Sequence, residues 1–258
     1  MTDILPLPPD AQTLVLVILA TLGLGSAVAW VLKRAVARGR PHGVIDNIGQ
    51  RMGAWWIMAA LLGSAFLLGR PGVVLLFAGV AILALHEFLT AGGPAGGRTL
   101  VGLGIASGVG FAPALLWLDL PGHPDRGGYL LMFLLMVSQL GDVFQYIWGK
   151  LFGRHPLAPR ISPAKTLEGL AGGLASAAAL GAALAWMTPF TPLQGAGMAL
   201  GIVSLGVTGG LLLSAEKRRR GIKDWGTRLP GHGGMLDRVD SVFLSAPGFY
   251  GALWLGWG

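Results

Sequence analysis

The 258-residue chain contains no cysteine and few charged residues. The absence of cysteine excludes thiol catalysis, iron–sulfur clusters, disulfide scaffolds and cysteine-type zinc sites. Charged residues make up 12% of the chain, about half of the usual globular share of ~25%. Apolar residues make up 53%, and the 43 glycines follow no collagen-like period. A soluble protein of this composition would have too few polar side chains to cover its surface. The composition therefore predicts a polytopic membrane protein.

Eight apolar segments are long enough, or nearly so, to cross ~30 Å of hydrocarbon as helices. They lack the period-two alternation of barrel strands, which favours helices. We therefore predict an all-α, polytopic membrane helix bundle that forms one domain over residues 1–258. Its N-terminal spans cover about 12–118, and the half that carries the candidate chemistry covers about 128–258. The predicted spans are approximately residues 12–32, 53–69, 72–90, 99–118, 128–147, 167–187, 193–213 and 241–257.

Basic residues are strongly segregated among the predicted loops. Of the 19 Lys and Arg residues, 17 follow the first, third, fifth or seventh span, and the exceptions are Arg70 and Arg126. The positive-inside rule makes those loops cytoplasmic. We therefore predict a multi-pass protein of the cell inner (cytoplasmic) membrane with both termini non-cytoplasmic. Topology and attraction to anionic lipid headgroups explain the net charge of +7, so no nucleic-acid partner is expected.

The loop after the seventh span, residues 214–240, combines three features. Positive charge at the predicted membrane edge comes from Lys217, Arg218 and Lys223. Residues 230–234 read Pro-Gly-His-Gly-Gly, a turn whose glycines allow close backbone approach to a ligand. Asp237 and Asp240 are expected on the first turn of the last helix, where a spacing of three puts both carboxylates on one face. Together these features indicate a site for a polyphosphate with Mg²⁺.

Each of these features also has a purely structural explanation. Residues 217–220 could be a stop-transfer run, and His232 could be a turn residue that hydrogen-bonds a carbonyl. Asp237 could be a helix N-terminal acid that interacts favourably with the helix dipole. The occurrence of all three features within one short segment favours the functional interpretation.

This segment resembles the signature of the phosphatidate cytidylyltransferases (CDP-diacylglycerol synthases). The signature is a Ser, then Lys-Arg, Lys-Asp, a Gly, Pro-x-His-Gly-Gly and Asp-Arg-x-Asp. The matching residues are Ser214, Lys217, Arg218, Lys223, Asp224, Gly226, Pro230, His232, Gly233, Gly234, Asp237, Arg238 and Asp240. The chain departs from the signature at Glu216, which is usually apolar, and at Gly210, where members often carry an Asp.

A second segment, residues 141–169, carries Asp142 and the run Ser-Pro-Ala-Lys-Thr-Leu-Glu-Gly. Ser162 and Pro163 are predicted as a helix N-cap and first helical residue, which would place Lys165 at an anion-binding helix N-terminus. A capped membrane helix would need Ser-Pro but not this lysine. Asp142 is a candidate because an unpaired charge near the end of a span is costly.

The second segment resembles the same family, whose members carry an Asp with a Tyr four residues on and Ser-Pro-x-Lys-Thr-x-Glu-Gly. The matches in the latter run are Ser162, Pro163, Lys165, Thr166, Glu168 and Gly169. The resemblance covers roughly residues 130–258. The first half of the chain looks more like a divergent bacterial paralogue than the housekeeping enzyme.

The resemblance implies an enzyme of phospholipid biosynthesis that transfers CMP from CTP to phosphatidate, giving CDP-diacylglycerol and pyrophosphate. Mg²⁺ is the implied cofactor, the lipid bilayer surrounds the protein, and a homodimer is one assembly considered. The residues assigned to catalysis are Lys217, Arg218, Lys223, Asp224, His232, Asp237 and Arg238. The residues assigned to nucleotide and phosphate binding are Ser162, Lys165, Thr166, Ser214, Gly233 and Gly234. The residues assigned to the metal are Asp142, Asp224, Asp237 and Asp240.

Two other functions remain open at this point. A CTP-dependent lipid kinase would transfer the γ-phosphate to a lipid alcohol and release CDP. A membrane transporter with an anion site would carry charged groups deep inside its spans, whereas these charges gather at one face. Separately, His86 and Glu87 lack the second His of a metalloprotease motif, since residue 90 is Thr. We expect them to form either an interfacial pair or a wall of the substrate groove.

Overall fold

The computed structural model describes residues 9–35, 38, 43–92, 98–117, 127–226 and 233–256. These ranges contain eight helices and one antiparallel pair of strands. The helices are α1 (Pro9–Ala35), α2 (Gly43–Leu67), α3 (Gly69–Thr90), α4 (Arg98–Ala114), α5 (Gly127–Phe152), α6 (Leu167–Ala183), α7 (Pro192–Arg219) and α8 (Val242–Trp254). The strands are β1 (Pro156–Ala158) and β2 (Ser162–Thr166), and short 3₁₀ turns cover Leu115–Trp117 and Ala185–Met187.

Each predicted apolar segment overlaps one of these helices, so the prediction of a mostly helical protein is confirmed, although the strand pair departs from the predicted all-α class. α3, α5, α7 and residues 18–35 of α1 are long and apolar enough to cross a membrane. The apolar parts of α2, α4, α6 and α8 are shorter. The protein is therefore an integral membrane protein, while the count of eight crossings stays a prediction. The sidedness of the termini also stays a prediction, because residues 1–8 and 257–258 lie outside the described ranges.

The core is built around α5, which packs against α6, α7 and α8. Phe133 of α5 is fully buried, and its ring centroid lies 5.9 Å from that of Phe190 and 5.8 Å from that of Phe249. Further along α5, a Cβ at Gly141 would lie only 2.6 Å from Cγ2 of Val203 on α7. A larger residue where α5 and α7 cross, one residue before Asp142, would therefore force Val203 to shift.

The strand pair contradicts the prediction that Ser162 caps a helix. Ser162 begins β2, which pairs with β1, and α6 begins only at Leu167. Thr166 is the actual N-cap, and its Oγ1 accepts a hydrogen bond from Gly169 N at 3.1 Å. The prediction of Pro163 as the first helical residue is wrong for the same reason. The backbone of β2 hydrogen-bonds to β1 and is not available for a helix.

Glu168, at the start of α6, contacts the residues that precede β1. Its Oε2 accepts hydrogen bonds from the backbone N–H groups of Arg154 and His155 at 3.0 and 3.2 Å. Its Oε1 lies 2.5 Å from His155 Nδ1. The end of α5 and the start of α6 are thereby joined, which holds β2 and Lys165 in place.

Asp237 and Asp240 precede the last helix instead of lying on its first turn, because α8 begins at Val242. Residues 235–241 form consecutive turns. These turns lie against a glycine face of α7, where a Cβ at Gly209 would be 2.8 Å from Asp240 O. The prediction that the two carboxylates share a helical face is therefore wrong. Their placement depends on the turns and on close contact with α7.

Candidate functional site

Two carboxylates from distant parts of the chain come together with a lysine. Asp142 of α5 and Asp240 of the turn before α8 lie close enough to repel each other, and Lys165 of β2 attracts both. A Cβ at Gly210 of α7 would lie 3.3 Å from Lys165 Nζ and 3.6 Å from Asp240 Oδ2. Ser241 hydrogen-bonds the Asp142 side chain. We call Asp142, Lys165 and Asp240 the carboxylate cluster.

The cations around the cluster offset the burial and mutual repulsion of its two carboxylates only in part. Desolvation raises the pKa of Asp240 to about 6, and the neighbouring Asp142 carboxylate acts in the same direction. Three cations oppose these effects: Lys165, Lys217 and Arg238. Two carboxylates so close together repel each other unless a cation lies between them or one becomes protonated.

Both carboxylate oxygens of Asp237 accept hydrogen bonds within the protein. Oδ1 accepts a hydrogen bond from Lys217 Nζ at 2.8 Å, in an ion pair whose side chains are only 11% (Lys217) and 6% (Asp237) exposed. Oδ2 accepts hydrogen bonds from the backbone N–H groups of Trp225 and Gly234, both at 2.9 Å. Gly233 has a φ of +79°, a conformation that favours glycine. Asp237 therefore joins α7 to the turn that contains these glycines.

Arg218 and Arg238 differ in what they contact. Arg218 is exposed, and its Nε and Nη1 donate hydrogen bonds to the backbone carbonyls of Ile161 and Ile222. It thus ties α7 to the strand pair. Arg238 acts electrostatically on both acids of the carboxylate cluster. Its Nε is buried and has no acceptor among the described residues, so it can donate to a bound anion.

The other predicted site residues differ in their exposure. Lys223 and Asp224 are exposed. A Cβ at Gly233 would lie 3.6 Å from the Cβ of Asp224. The partly buried residues are Ser162, Thr166 and Ser214, and Thr166 serves as the N-cap of α6. His232 and Pro230 lie outside the described residues.

The donor set of the cluster suits Mg²⁺ together with a phosphate ligand. Within the described ranges, no three His, Asp or Glu side chains group closely enough to hold a metal. Mg²⁺, however, commonly binds through one or two carboxylates and completes its shell with water and substrate phosphate oxygens. Asp142 and Asp240 supply such a pair, and Gly210, where the family resembled often carries an Asp, lies against it.

Two functional candidates come from contacts that the motifs do not indicate. Glu87 of α3 is buried, and its Oε2 accepts a hydrogen bond from Leu236 N at 2.9 Å. Arg220, which caps α7, donates from Nη1 to the carbonyl of Phe88 at 2.7 Å. The sequence left two roles open for Glu87 and placed Arg220 only in a possible stop-transfer run. A charged residue in an apolar helix was the available signal for Glu87.

Comparison with known proteins gives consistent matches over the C-terminal part. Residues 98–255 match the model of the cytidylyltransferase family. The uncharacterized protein YnbB of Escherichia coli K12 is 44% identical over 137 residues, which cover 52% of this chain and 45% of YnbB. The phosphatidate cytidylyltransferase of Mycobacterium leprae is 42% identical over 48% of this chain and 40% of its own length. That of Aquifex aeolicus is 36% identical over 54% of this chain and 53% of its own length. The chain spans about half the length of these curated relatives.

Proposed function

Since the chain belongs to the cytidylyltransferase family, we propose that it transfers CMP from CTP to phosphatidate, giving CDP-diacylglycerol and pyrophosphate. Two of the relatives above are named phosphatidate cytidylyltransferases. The observation that carries the proposal is the carboxylate cluster, in which Lys165 lies beside paired acids, with the buried Lys217–Asp237 pair nearby. Paired acids with surrounding cations suit a nucleoside triphosphate bound with a divalent metal.

The reaction needs no nucleophile from the protein. A phosphate monoester carries about −1.5 to −2 charges at pH 7, so an oxygen of phosphatidate is already an anionic nucleophile. This oxygen forms a bond to the α-phosphorus of CTP, while the bond from that phosphorus to the bridging oxygen of the β-phosphate breaks. Pyrophosphate leaves with the bonding electrons. The main obstacle is repulsion between two anions, which the site must neutralise.

Lys165 and Arg238 are the side chains best placed to bind phosphate oxygens. Both adjoin the paired acids, and Arg238 Nε has no acceptor within the described ranges. Lys223 is exposed and can contact the leaving pyrophosphate from the solvent side. Lys217 is held by Asp237, so we assign this pair to fixing the turn that approaches the nucleotide.

Asp142 and Asp240 would hold Mg²⁺ in this proposal. The bound ion would supply positive charge that offsets the charge on the CTP phosphates and on the pyrophosphate as it leaves. Asp224 and Asp237 suit this role less well. Asp224 is exposed, and Asp237 uses both oxygens for contacts within the protein.

We place the site at the cytoplasmic surface of the inner membrane. The segregation of 17 of the 19 basic residues supports this sidedness. A site at a membrane surface also lets water-soluble CTP meet a lipid whose acyl chains stay in the bilayer. Assembly as a homodimer stays a prediction.

Labelling of single cysteines should show the sidedness, since the chain has none of its own. Leu193 at the start of α7 is 84% exposed, and Pro159 is exposed between β1 and β2. An impermeant maleimide applied to intact spheroplasts should label Leu193→Cys but not Pro159→Cys. Permeabilised membranes should allow both to react. Labelling of Pro159→Cys from outside would reverse the proposed orientation.

Product analysis of the purified chain tests the proposed reaction. With CTP, phosphatidate and Mg²⁺, we expect pyrophosphate and CDP-diacylglycerol in equal amounts. A parallel reaction contains a lipid alcohol in place of phosphatidate. Release of CDP with phosphorylation of that alcohol would instead identify a lipid kinase. Absence of turnover with either lipid, by protein that is folded, would reject both enzymes.

Because Gly210 stands where the family often carries an Asp, we expect this position to affect the Mg²⁺ concentration that the enzyme needs. Gly210→Asp would add a carboxylate beside Asp240 and Lys165. We expect the Mg²⁺ concentration for half-maximal rate to fall about three- to tenfold, equivalent to ~0.7–1.4 kcal/mol of added binding. Gly210→Ala is the matched control and should leave this concentration unchanged, because its Cβ meets mainly the flexible end of Lys165. An unchanged or higher requirement in Gly210→Asp would contradict the placement of the metal.

A further inference from the structure

Glu87 lies at the point where α3 meets the turn that carries Asp237. Glu87 is only 3% exposed, and its Oε2 accepts a hydrogen bond from Leu236 N at 2.9 Å. Leu236 is fully buried, so this N–H could not turn to water if Glu87 were absent. A buried donor without an acceptor costs considerable free energy. The turn is therefore held by two carboxylates, Glu87 at Leu236 N and Asp237 at Gly234 N.

The backbone around Glu87 is shaped to admit its carboxylate. A Cβ at Gly226 would lie 3.0 Å from Oε1, and a Cβ at Gly234 would overlap Oε2. The same Cβ at Gly234 would lie 2.8 Å from Gly226 N, so the two glycines also approach each other. Gly234 is thus required by a residue that lies far outside the signature, and a Cβ at Gly226 would press on the same carboxylate.

A second contact fastens the same turn of α3 to the end of α7. Arg220 Nη1 donates to the carbonyl of Phe88, and its guanidinium lies 4.1 Å from the centroid of the Phe88 ring. Its Nε donates to Glu216 Oε1 at 2.6 Å, and it lies 5.1 Å from the ring centroid of Trp225. Both ends of the segment from Arg220 to Leu236 are therefore anchored on α3.

We propose that Glu87 is a positioning residue, which holds the turn of residues 233–237 through the amide of Leu236 so that Arg238 faces the substrate phosphates and Asp240 faces the metal. This inference rests on the proposed function. It extends the site to α3, which precedes the matched residues 98–255. Glu87 touches neither substrate in this proposal and acts only through the backbone that it holds.

Three variants of the full chain test this role. Glu87→Met keeps the length of the side chain but removes the acceptor, whereas Glu87→Gln keeps an acceptor oxygen. Thr188→Val is the matched control, since Thr188 is buried and makes hydrogen bonds to Ala185 O and from Phe190 N at the other end of α6. Each variant is measured for thermal stability, for kcat and the KM of CTP, and for backbone hydrogen exchange.

Positioning and simple stabilisation give different results. We expect Glu87→Met to lower kcat at least tenfold and to speed exchange of the peptide covering residues 233–240 at least tenfold. Glu87→Gln should keep kcat within threefold of the parent. Thr188→Val should lose stability without a change in kcat, KM or exchange of that peptide.

The proposal is overturned if folded Glu87→Met shows parental kcat and exchange, or if Glu87→Gln is as impaired as Glu87→Met. If Glu87→Met does not accumulate, Glu87→Asp is measured in its place, because its side chain is one methylene shorter and would fall short of Leu236 N. If the parent protein does not turn over CTP, the proposed function fails. Hydrogen exchange then still decides whether Glu87 holds the turn.

Discussion

Asp240→Asn is expected to lower kcat for CTP and phosphatidate at least ~100-fold while leaving the protein folded. Removing a group that stabilises transition-state charge typically costs ~10²–10³ in kcat, and Asp240 is one of the two acids proposed to hold the metal. Asn keeps the shape of the side chain but removes its repulsion with Asp142. The thermal midpoint without Mg²⁺ should therefore be unchanged or higher. Turnover and thermal unfolding of one preparation provide the two measurements.

Asp142→Asn should behave in the same way, since the two acids act as a pair. Added Mg²⁺ should raise the thermal midpoint of the parent protein but not that of either variant, because binding to the folded state alone stabilises it. A kcat of Asp240→Asn within tenfold of the parent would remove Asp240 from the metal site. Metal-dependent stabilisation that persists in both variants would place the ion elsewhere.

Asp237→Asn is expected to lower both stability and activity, because it leaves the Lys217 ammonium without its partner. The pair is 2.8 Å apart, with side chains 11% and 6% exposed. Breaking a buried pair by removing one member typically costs ~3–5 kcal/mol. The turn that Asp237 holds through Trp225 N and Gly234 N would also loosen, so kcat should fall below detection. Denaturant unfolding and turnover are the measurements.

The matched variant for this pair is Lys217→Met combined with Asp237→Asn. Removing both charges leaves no buried ion without a partner, so the double variant should be more stable than Asp237→Asn alone. Its activity should stay low, since neither residue can then fix the turn through the ion pair. Parental stability in Asp237→Asn would show that Lys217 finds another partner. Restored activity in the double variant would show that the pair does not support the site.

The helices and the candidate site residues of the C-terminal half follow from local sequence. A run of about 20 apolar residues must form its backbone hydrogen bonds within itself in lipid, so its neighbours hardly affect whether it is helical. Each predicted segment accordingly overlaps a helix. The signature from Ser214 to Asp240 is equally local, since it depends only on residue types at fixed spacing, and the family match over residues 98–255 agrees with it.

Local patterns predict structure less reliably where a distant segment forms hydrogen bonds or close contacts with the backbone. Ser162 and Pro163 have the composition of a helix start, yet the pairing of β2 with β1 moves the cap to Thr166. Asp237 and Asp240 have helical spacing, yet α8 begins at Val242. In both cases a long-range backbone contact prevails over local preference, because tertiary contacts can satisfy the same polar groups.

The sequence by itself therefore determined the membrane helices, the family and most of the candidate residues. The tertiary structure decided which of those residues meet. Asp142 and Asp240 are distant in sequence and approach only because glycines of α7 admit the turn before α8. Glu87 is 149 residues from Leu236, and no spacing rule links a carboxylate on an apolar helix to one backbone amide so far along the chain. Packing of α3 against that turn creates the contact, because a buried amide must find an acceptor wherever the fold provides one.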